Sequence, residues 1–271
     1  MTRSASGTIN YVGAMRERPR FHANDHSRDV LALEPHSVTV RDARSLAERP
    51  TLHREGIELV RHTSAVPDFR DKAAVMAVHR GEIERLVGEL SGADRVVVAS
   101  PGVLRFGERS PESGKLDNSL PARFVHVDVS SPTAAAFAER SRPNDSRARI
   151  RRFAHYNVWR VLTPPPQDVP LAVCDARSVA AEDLVPADAV FDQRDAPEWS
   201  FEALVVRHNP AHRWLYFSNM TPDEVIVFKT NDSDPSEPIQ VPHSAFDDAA
   251  CPAGVTPRAS IEMRAIAYWL S

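Results

Sequence analysis

The stretch "FVHVDVS", residues 124–130, decides how this sequence is read. Its apolar residues alternate strictly: Val125, Val127 and Val129 fall on one face of an extended chain, and Phe124, His126, Asp128 and Ser130 on the other. A period of two predicts a strand and sends His126 and Asp128 into the same space. Directly behind it, "SSPTAAAFAERSRP" carries serine caps, Pro132 near the first helical position and Pro143 as terminator, so the strand runs into a helix.

Upstream, "DKAAVMAVHRGEIERLVGELSG" (71–92) repeats Val75, Val78, Ile83, Leu86, Val87 and Leu90 at three- and four-residue spacing. That spacing predicts an amphipathic helix covering a sheet face, with Gly92 as its stop. "DRVVVAS" then reads as a buried strand bounded by Pro101. Downstream, "HYNVWRVL", "FEALVVR", "WLYFS", "VIVFK" and "SIEMRAIAYW" are short strands separated by Pro, Asp and Asn turns. Helical cover followed by a strand-rich half predicts a mainly β fold, a jelly-roll barrel flanked by helices. Residues 1–35 are polar and read as an N-terminal arm, leaving 36–271 as one domain.

The chain has 271 residues and a formal charge of -4, with 42% hydrophobic and 26% charged residues, enough for a sizeable core. No long basic tract accompanies interleaved aromatics, which argues against nucleic-acid binding and for a small-molecule substrate. There is no apolar leader and no run of 18 apolar residues, so a cytoplasmic monomer or homodimer without a membrane span is expected. Cys174 and Cys251 lie far apart and suggest neither a disulfide framework nor a zinc knuckle. The arginine-rich run "ERSRPNDSRARIRRF" (139–153) is read as a solvated face or lid, with attraction of an anionic substrate as the alternative.

With 11 histidines and 37 acidic residues, chance alone supplies roughly one or two His-x-acid matches. The sequence holds two, His53 in "HRE" and His126 in "HVD", and strand context favours the second. A histidine and a carboxylate converging on one strand face suit divalent iron, whose two-histidine, one-carboxylate set leaves coordination positions open. The third ligand must come from a distant strand; His243 is favoured over His208 and His212, and His155 lies too near in sequence. In "PRASIEMRAIAYW", Arg258, Ser260, Glu262 and Arg264 share one parity, and Ile261, Met263, Ala265 and Ala267 the other. An Arg-x-Ser pair suits the far carboxylate of a dicarboxylate, through a forked ion pair and a hydroxyl hydrogen bond.

The blocks "TLHREGIELV", "FVHVDVS", "NVWRVLTPPPQDVPLAVCDARSV", "WLYFSNMTPDEVIVFKTNDSD", "PHSAFDD" and "PRASIEMRA" together resemble one family from about residue 50 onward. It is the iron(II)/2-oxoglutarate-dependent oxygenase family that includes the cephamycin methoxylation hydroxylase component, aspergillic acid hydroxylase, and fungal endoperoxide- and aziridine-forming enzymes. The resemblance implies a double-stranded β-helix (cupin-like jelly roll). It also implies Fe(II), 2-oxoglutarate and O2 as cofactors, iron ligands His126, Asp128 and His243, and Arg258 and Ser260 at the 2-oxoglutarate site. Asn157 is expected beside the cosubstrate, with Arg160 and Arg264 as alternates there. Trp159, Tyr216 and Met220 are candidates to line the substrate mouth. Ala259 departs from the family pattern, which has a more polar residue there. The expected activity is hydroxylation, desaturation or oxidative cyclisation of a secondary-metabolite or amino-acid-derived compound, with release of succinate and CO2. A cupin-type metal-dependent hydrolase or isomerase, and a noncatalytic jelly-roll binding protein, are the alternatives.

Overall fold

The computed structural model describes residues 3–143, 148–193 and 195–271. Along the chain run β1 (Ser4–Val12), β2 (Arg20–His22), β3 (Leu33–Asp42) and β4 (Ile57–Arg61). After them come α1 (Lys72–Ala74), α2 (Arg80–Ser91), β5 (Arg95–Val98), β6 (Val103–Phe106), β7 (His126–Val127), α3 (Ser131–Arg140), β8 (Ile150–Val161) and β9 (Leu171–Cys174). The remaining strands are β10 (Leu184–Phe191), β11 (Trp199–Val206), β12 (Trp214–Tyr216), β13 (Glu224–Asp232), β14 (His243–Ala245) and β15 (Ala259–Leu270).

Two sheets form the jelly roll. One has nine strands in the order β1-β3-β12-β9-β14-β7-β11-β10-β2, and the other has the order β4-β13-β8-β15-β5, with β6 also pairing β15. β1 and β2 sit at opposite edges of the larger sheet although only residues 13–19 separate them. Eight flat strand spacings would need roughly 38 Å, whereas the chain from Val12 to Arg20 spans at most roughly 28 Å. The sheet therefore curls on itself, and a parallel bridge from Asn10 to Phe124 marks where the roll closes.

The segment expected as an arm thus supplies both edge strands of the large sheet. In β1, Ala5, Ile9 and Tyr11 are buried and Ser4, Ser6 and Thr8 exposed, the period of a half-covered strand. At Gly7 the Phe246 ring lies 2.7 Å from where a Cβ would stand, so a larger residue there would have to displace that ring.

Leu171, Val173, Leu215 and Phe217 of the large sheet meet Trp159, Val161, Ile226 and Phe228 of the small one, forming the core between the sheets. Behind the small sheet, Ile261, Met263, Ala265, Tyr156 and Val158 pack against Ile83, Leu86 and Val87 of α2, the face the β15 alternation predicts. The helix expected over 71–92 differs in one respect. A π-helical turn, Val75–His79, joins α1 to α2. Its extra residue rotates the face, so that Val78 is 36% exposed and His79 only 1%. Gly92, left-handed at φ 66, ends α2 as expected.

Of the arginine-rich run, residues 144–147, including Arg147, lie outside the described residues. Arg140 sits 4.7 Å above the Phe137 ring, and Arg152 forms a forked ion pair with buried Asp232 at 2.6 and 2.9 Å. No helix among the described residues is long and apolar enough to cross a membrane.

Candidate metal centre

β7 and β14 are antiparallel neighbours, and His126 and His243 are cross-strand partners in their register. Their rings stand 4.2 Å apart. Asp128, two residues beyond His126, projects from the same face, as the alternation requires. One ligand atom from each of His126, Asp128 and His243 lies within 4.8 Å of the other two, and all three residues are buried.

Both histidines are fixed in the same manner. Nδ1 of His126 donates to the Phe124 carbonyl at 3.0 Å, and Nδ1 of His243 to the Val241 carbonyl at 3.3 Å. A carbonyl can only accept, so the proton sits on Nδ1 and each Nε2 keeps a free lone pair for a cation. Burial, reinforced by His243, pushes His126 down to about 3, and burial also pushes His243 down. Both are neutral imidazoles at neutral pH. Burial alone would raise the Asp128 carboxyl, but Arg264, His243 and His126, with a hydrogen bond from Asn157, hold it well below the usual carboxylate range. Its Oδ1 accepts from Arg264 Nη2 at 3.0 Å, and Oδ2 accepts from Asn157 Nδ2.

A small cavity lies on one side of this cluster, lined by His126, His243, Trp159, Arg105, Arg258 and Glu262. Arg258 is 1% exposed and donates Nη1 to the Val169 carbonyl at 2.9 Å. Its Nε and the Ser260 Oγ are both buried without a hydrogen-bond partner. Two orphaned donors two residues apart, Arg258 just ahead of β15 and Ser260 within it, fit a missing carboxylate. Desolvation, with Arg105 and Arg123 nearby, lowers Arg258 to about 9, the mark of a cation waiting for an anion. On the other side, a cavity of about 720 Å³ opens past Asp128, Asn157, His155 and Arg264.

The remaining expected residues divide between the two faces of their strands. Asn157 faces the site but binds Asp128. Trp159 faces the small cavity, 5.7 Å from the Arg258 guanidinium, and does not line the large one. Arg160, on the opposite parity of β8, turns to the helix side, where it donates to the His62 and Pro222 carbonyls and cannot serve the cosubstrate. Tyr216 points to the outer face of the large sheet, against Phe246, and Met220 is buried between the sheets with its carbonyl bound by Gln167. Neither lines the large cavity. Among the alternative ligands, His212 is held by Asp183 and Tyr11 away from the cluster, and His208 stacks on His36. His53 of "HRE" is exposed and pairs with Glu237. Arg105 went unread in the sequence, although "VLRF" offered the signal of one arginine amid apolar strand residues.

Comparison with known proteins agrees with this chemistry. A family described as "Oxidoreductase/YMDC permease-like domain" matches residues 9–268. The Fe(II)/2-oxoglutarate-dependent dioxygenase nvfI of Aspergillus novofumigatus is 32% identical over 251 residues, covering 92% of this chain and 82% of that protein. The hydroxylase/desaturase CTB9 of Cercospora beticola is 30% identical over 256 residues, covering 87% and 77%. A solved structure of the iron and alpha-ketoglutarate-dependent endoperoxidase NvfI superposes with a TM-score of 0.83 at 25% identity, covering 98% of this chain and 97% of that one. A neutral histidine pair, an ionised aspartate and a buried arginine awaiting a carboxylate thus stand on a shared fold, and the chain belongs to the iron(II)/2-oxoglutarate-dependent oxygenases.

Proposed function

We propose that His126 Nε2, His243 Nε2 and the Asp128 carboxylate hold iron(II), and that Arg258 and Ser260 hold the far carboxylate of 2-oxoglutarate in the small cavity. The observation that carries this reading is the pair of orphaned donors, Arg258 Nε and Ser260 Oγ. When bound, iron(II) and 2-oxoglutarate supply oxygen activation coupled to release of succinate and CO2. The chain's own part is positional. Phe124 and Val241 carbonyls fix the histidine tautomers, and Asn157 and Arg264 fix the carboxylate. Trp159 packs beside the Arg258 guanidinium, keeping water from it. A small-molecule substrate enters from the large cavity, and its oxidation proceeds by hydroxylation, desaturation or ring closure.

The test is anaerobic addition of iron(II) and 2-oxoglutarate, which should give a visible absorption band. Full retention of that band in His243→Ala would sink the ligand assignment. We place the protein in a reducing cytoplasm, a reading supported by its free Cys174 and Cys251 thiols. It acts there as a monomer or homodimer, since exposed large apolar side chains such as Leu33, Val78 and Ile239 are scattered in sequence. Sedimentation distinguishes the two states.

A further inference from the structure

Arg264 shares a strand face with Arg258, yet six residues of β15 separate them by roughly 20 Å at the backbone. The two guanidinium groups serve different spaces, since Arg258 lines the small cavity and Arg264 the large one. Arg264 is only partly engaged. Nη2 reaches Asp128 Oδ1 at 3.0 Å and Glu262 Oε1 at 3.2 Å, and Nε reaches Glu262 Oε1 at 3.3 Å. Its Nη1 makes no hydrogen bond among the described residues, and 33% of the side chain remains exposed. A guanidinium does not deprotonate, so a residue that lines the cavity is left with two N–H donors on Nη1 unengaged.

Another wall of that cavity is aromatic. Phe191 and Trp199 stack across the β10–β11 pair at 4.6 Å and 18°, and Phe191 and Phe201 at 5.4 Å and 24°. Phe137 of α3 meets Phe201 edge-on at 5.2 Å. Trp199 is 43% exposed, a large apolar surface at the open end of a strand whose far half, residues 203–206, is buried. Near-parallel rings form an apolar wall suited to another flat ring system. A space of about 720 Å³ lies within the ~300–1,000 Å³ typical of sites that enclose drug-sized ligands.

We infer that the substrate is a fused or aromatic ring compound carrying a carbonyl-type oxygen, its rings against Phe191, Trp199 and Phe201 and its oxygen on Arg264 Nη1. The assignment rests on the metal-centre reading, because Arg264 touches Asp128 and so ties the substrate's polar group to the side of the iron.

Three naphthalene probes of similar size test it: 2-naphthoate, 2-acetylnaphthalene and 2-isopropylnaphthalene. Their binding is measured by tryptophan fluorescence to protein loaded anaerobically with iron(II) and 2-oxoglutarate, and again to metal-free protein. The expected result is about tenfold tighter binding of both oxygen-bearing probes than of 2-isopropylnaphthalene, the size of a charge-assisted hydrogen bond. Arg264→Gln should erase that preference, and Arg264→Lys should restore part of it. Trp199→Ala, on the exposed edge, should weaken all three probes alike and keep the preference. Equal binding of the three probes by the wild type, or a preference that survives Arg264→Gln, overturns the proposal. If Arg264→Gln does not fold, the wild-type ranking and the Trp199→Ala variant decide the matter. Loss of the absorption band in the loaded wild type instead strikes the metal-centre reading, while the metal-free ranking still judges Arg264.

Discussion

Two of the cavities that flank the His126, Asp128 and His243 cluster are built on opposite principles. The one beside Arg258 is small and charged, lined by Arg258 just ahead of β15, by Glu262 within β15 and by Arg105 of β6. The other is several times larger and walled by aromatic rings from β10, β11 and α3 and by the loop around Asn118. On the proposed reading the cosubstrate is gripped by the rigid sheet and the substrate by elements at its margin, which a fold can vary without altering its reaction.

The contrast breaks most sharply at the cluster itself. His126→Ala, Asp128→Ala or His243→Ala should weaken iron binding more than about a thousandfold, whereas His53→Ala should leave it unchanged; metal titration with circular dichroism as a folding check separates the two. Next in size is Arg258→Ala, for which 2-oxoglutarate should bind roughly 100- to 1,000-fold more weakly with iron retained, since it removes a buried charge partner. Titration of the absorption band reads this effect.

Arg160→Met sharpens the comparison from the other face of β8. It should lose about 3 kcal/mol in denaturant unfolding, because the buried guanidinium gives up two charge-assisted hydrogen bonds to the His62 and Pro222 carbonyls, while 2-oxoglutarate affinity holds. A pH effect should follow from His155, which lines the large cavity and donates Nε2 to the Ala134 carbonyl at 2.9 Å. Burial pushes it down to about 4. The unfolded chain then binds a proton that the folded chain refuses, so stability is full above about pH 6.5 and falls on acidification toward pH 4. His155 alone contributes up to about 3 kcal/mol of that fall. Thermal melts across this range, with His155→Gln as the flatter profile, measure it. Smallest of all, Tyr216→Phe should move neither cosubstrate nor probe affinity and should shift stability by less than about 0.5 kcal/mol, because the ring lies on the outer face.

Legibility in the sequence followed the same division. Alternation in β15 and around His126 named one face of each strand, and the structure puts those residues where the parity requires. Parity also separated Asn157 from Arg160, since neighbours of opposite sense on one strand cannot share a cavity. The aromatic wall was not legible, because Phe137, Phe191, Trp199 and Phe201 are brought together only by sheet curl and long-range pairing. Tyr216 and Met220 misled for a related reason. A position near a strand end does not say which side of which sheet it joins, and β12 is only three residues long. The π-helical turn before α2 left no compositional trace, and β1 hid its alternation behind small residues such as Ala5 and Gly7.

β15 has a further consequence for how the protein comes to exist during synthesis. Among the described residues β5 and β6 pair with no strand but β15, so residues 95–106 wait for a partner made roughly 160 residues later. At ordinary elongation rates that interval is roughly 8–30 s. For that time two β-branched strand edges are open to chaperones or to misjoining with other nascent chains. The strand that ends the wait begins directly after Arg258. The same segment therefore seals the sheet and brings in Arg258, the proposed cosubstrate anchor, and both await its release from the ribosome.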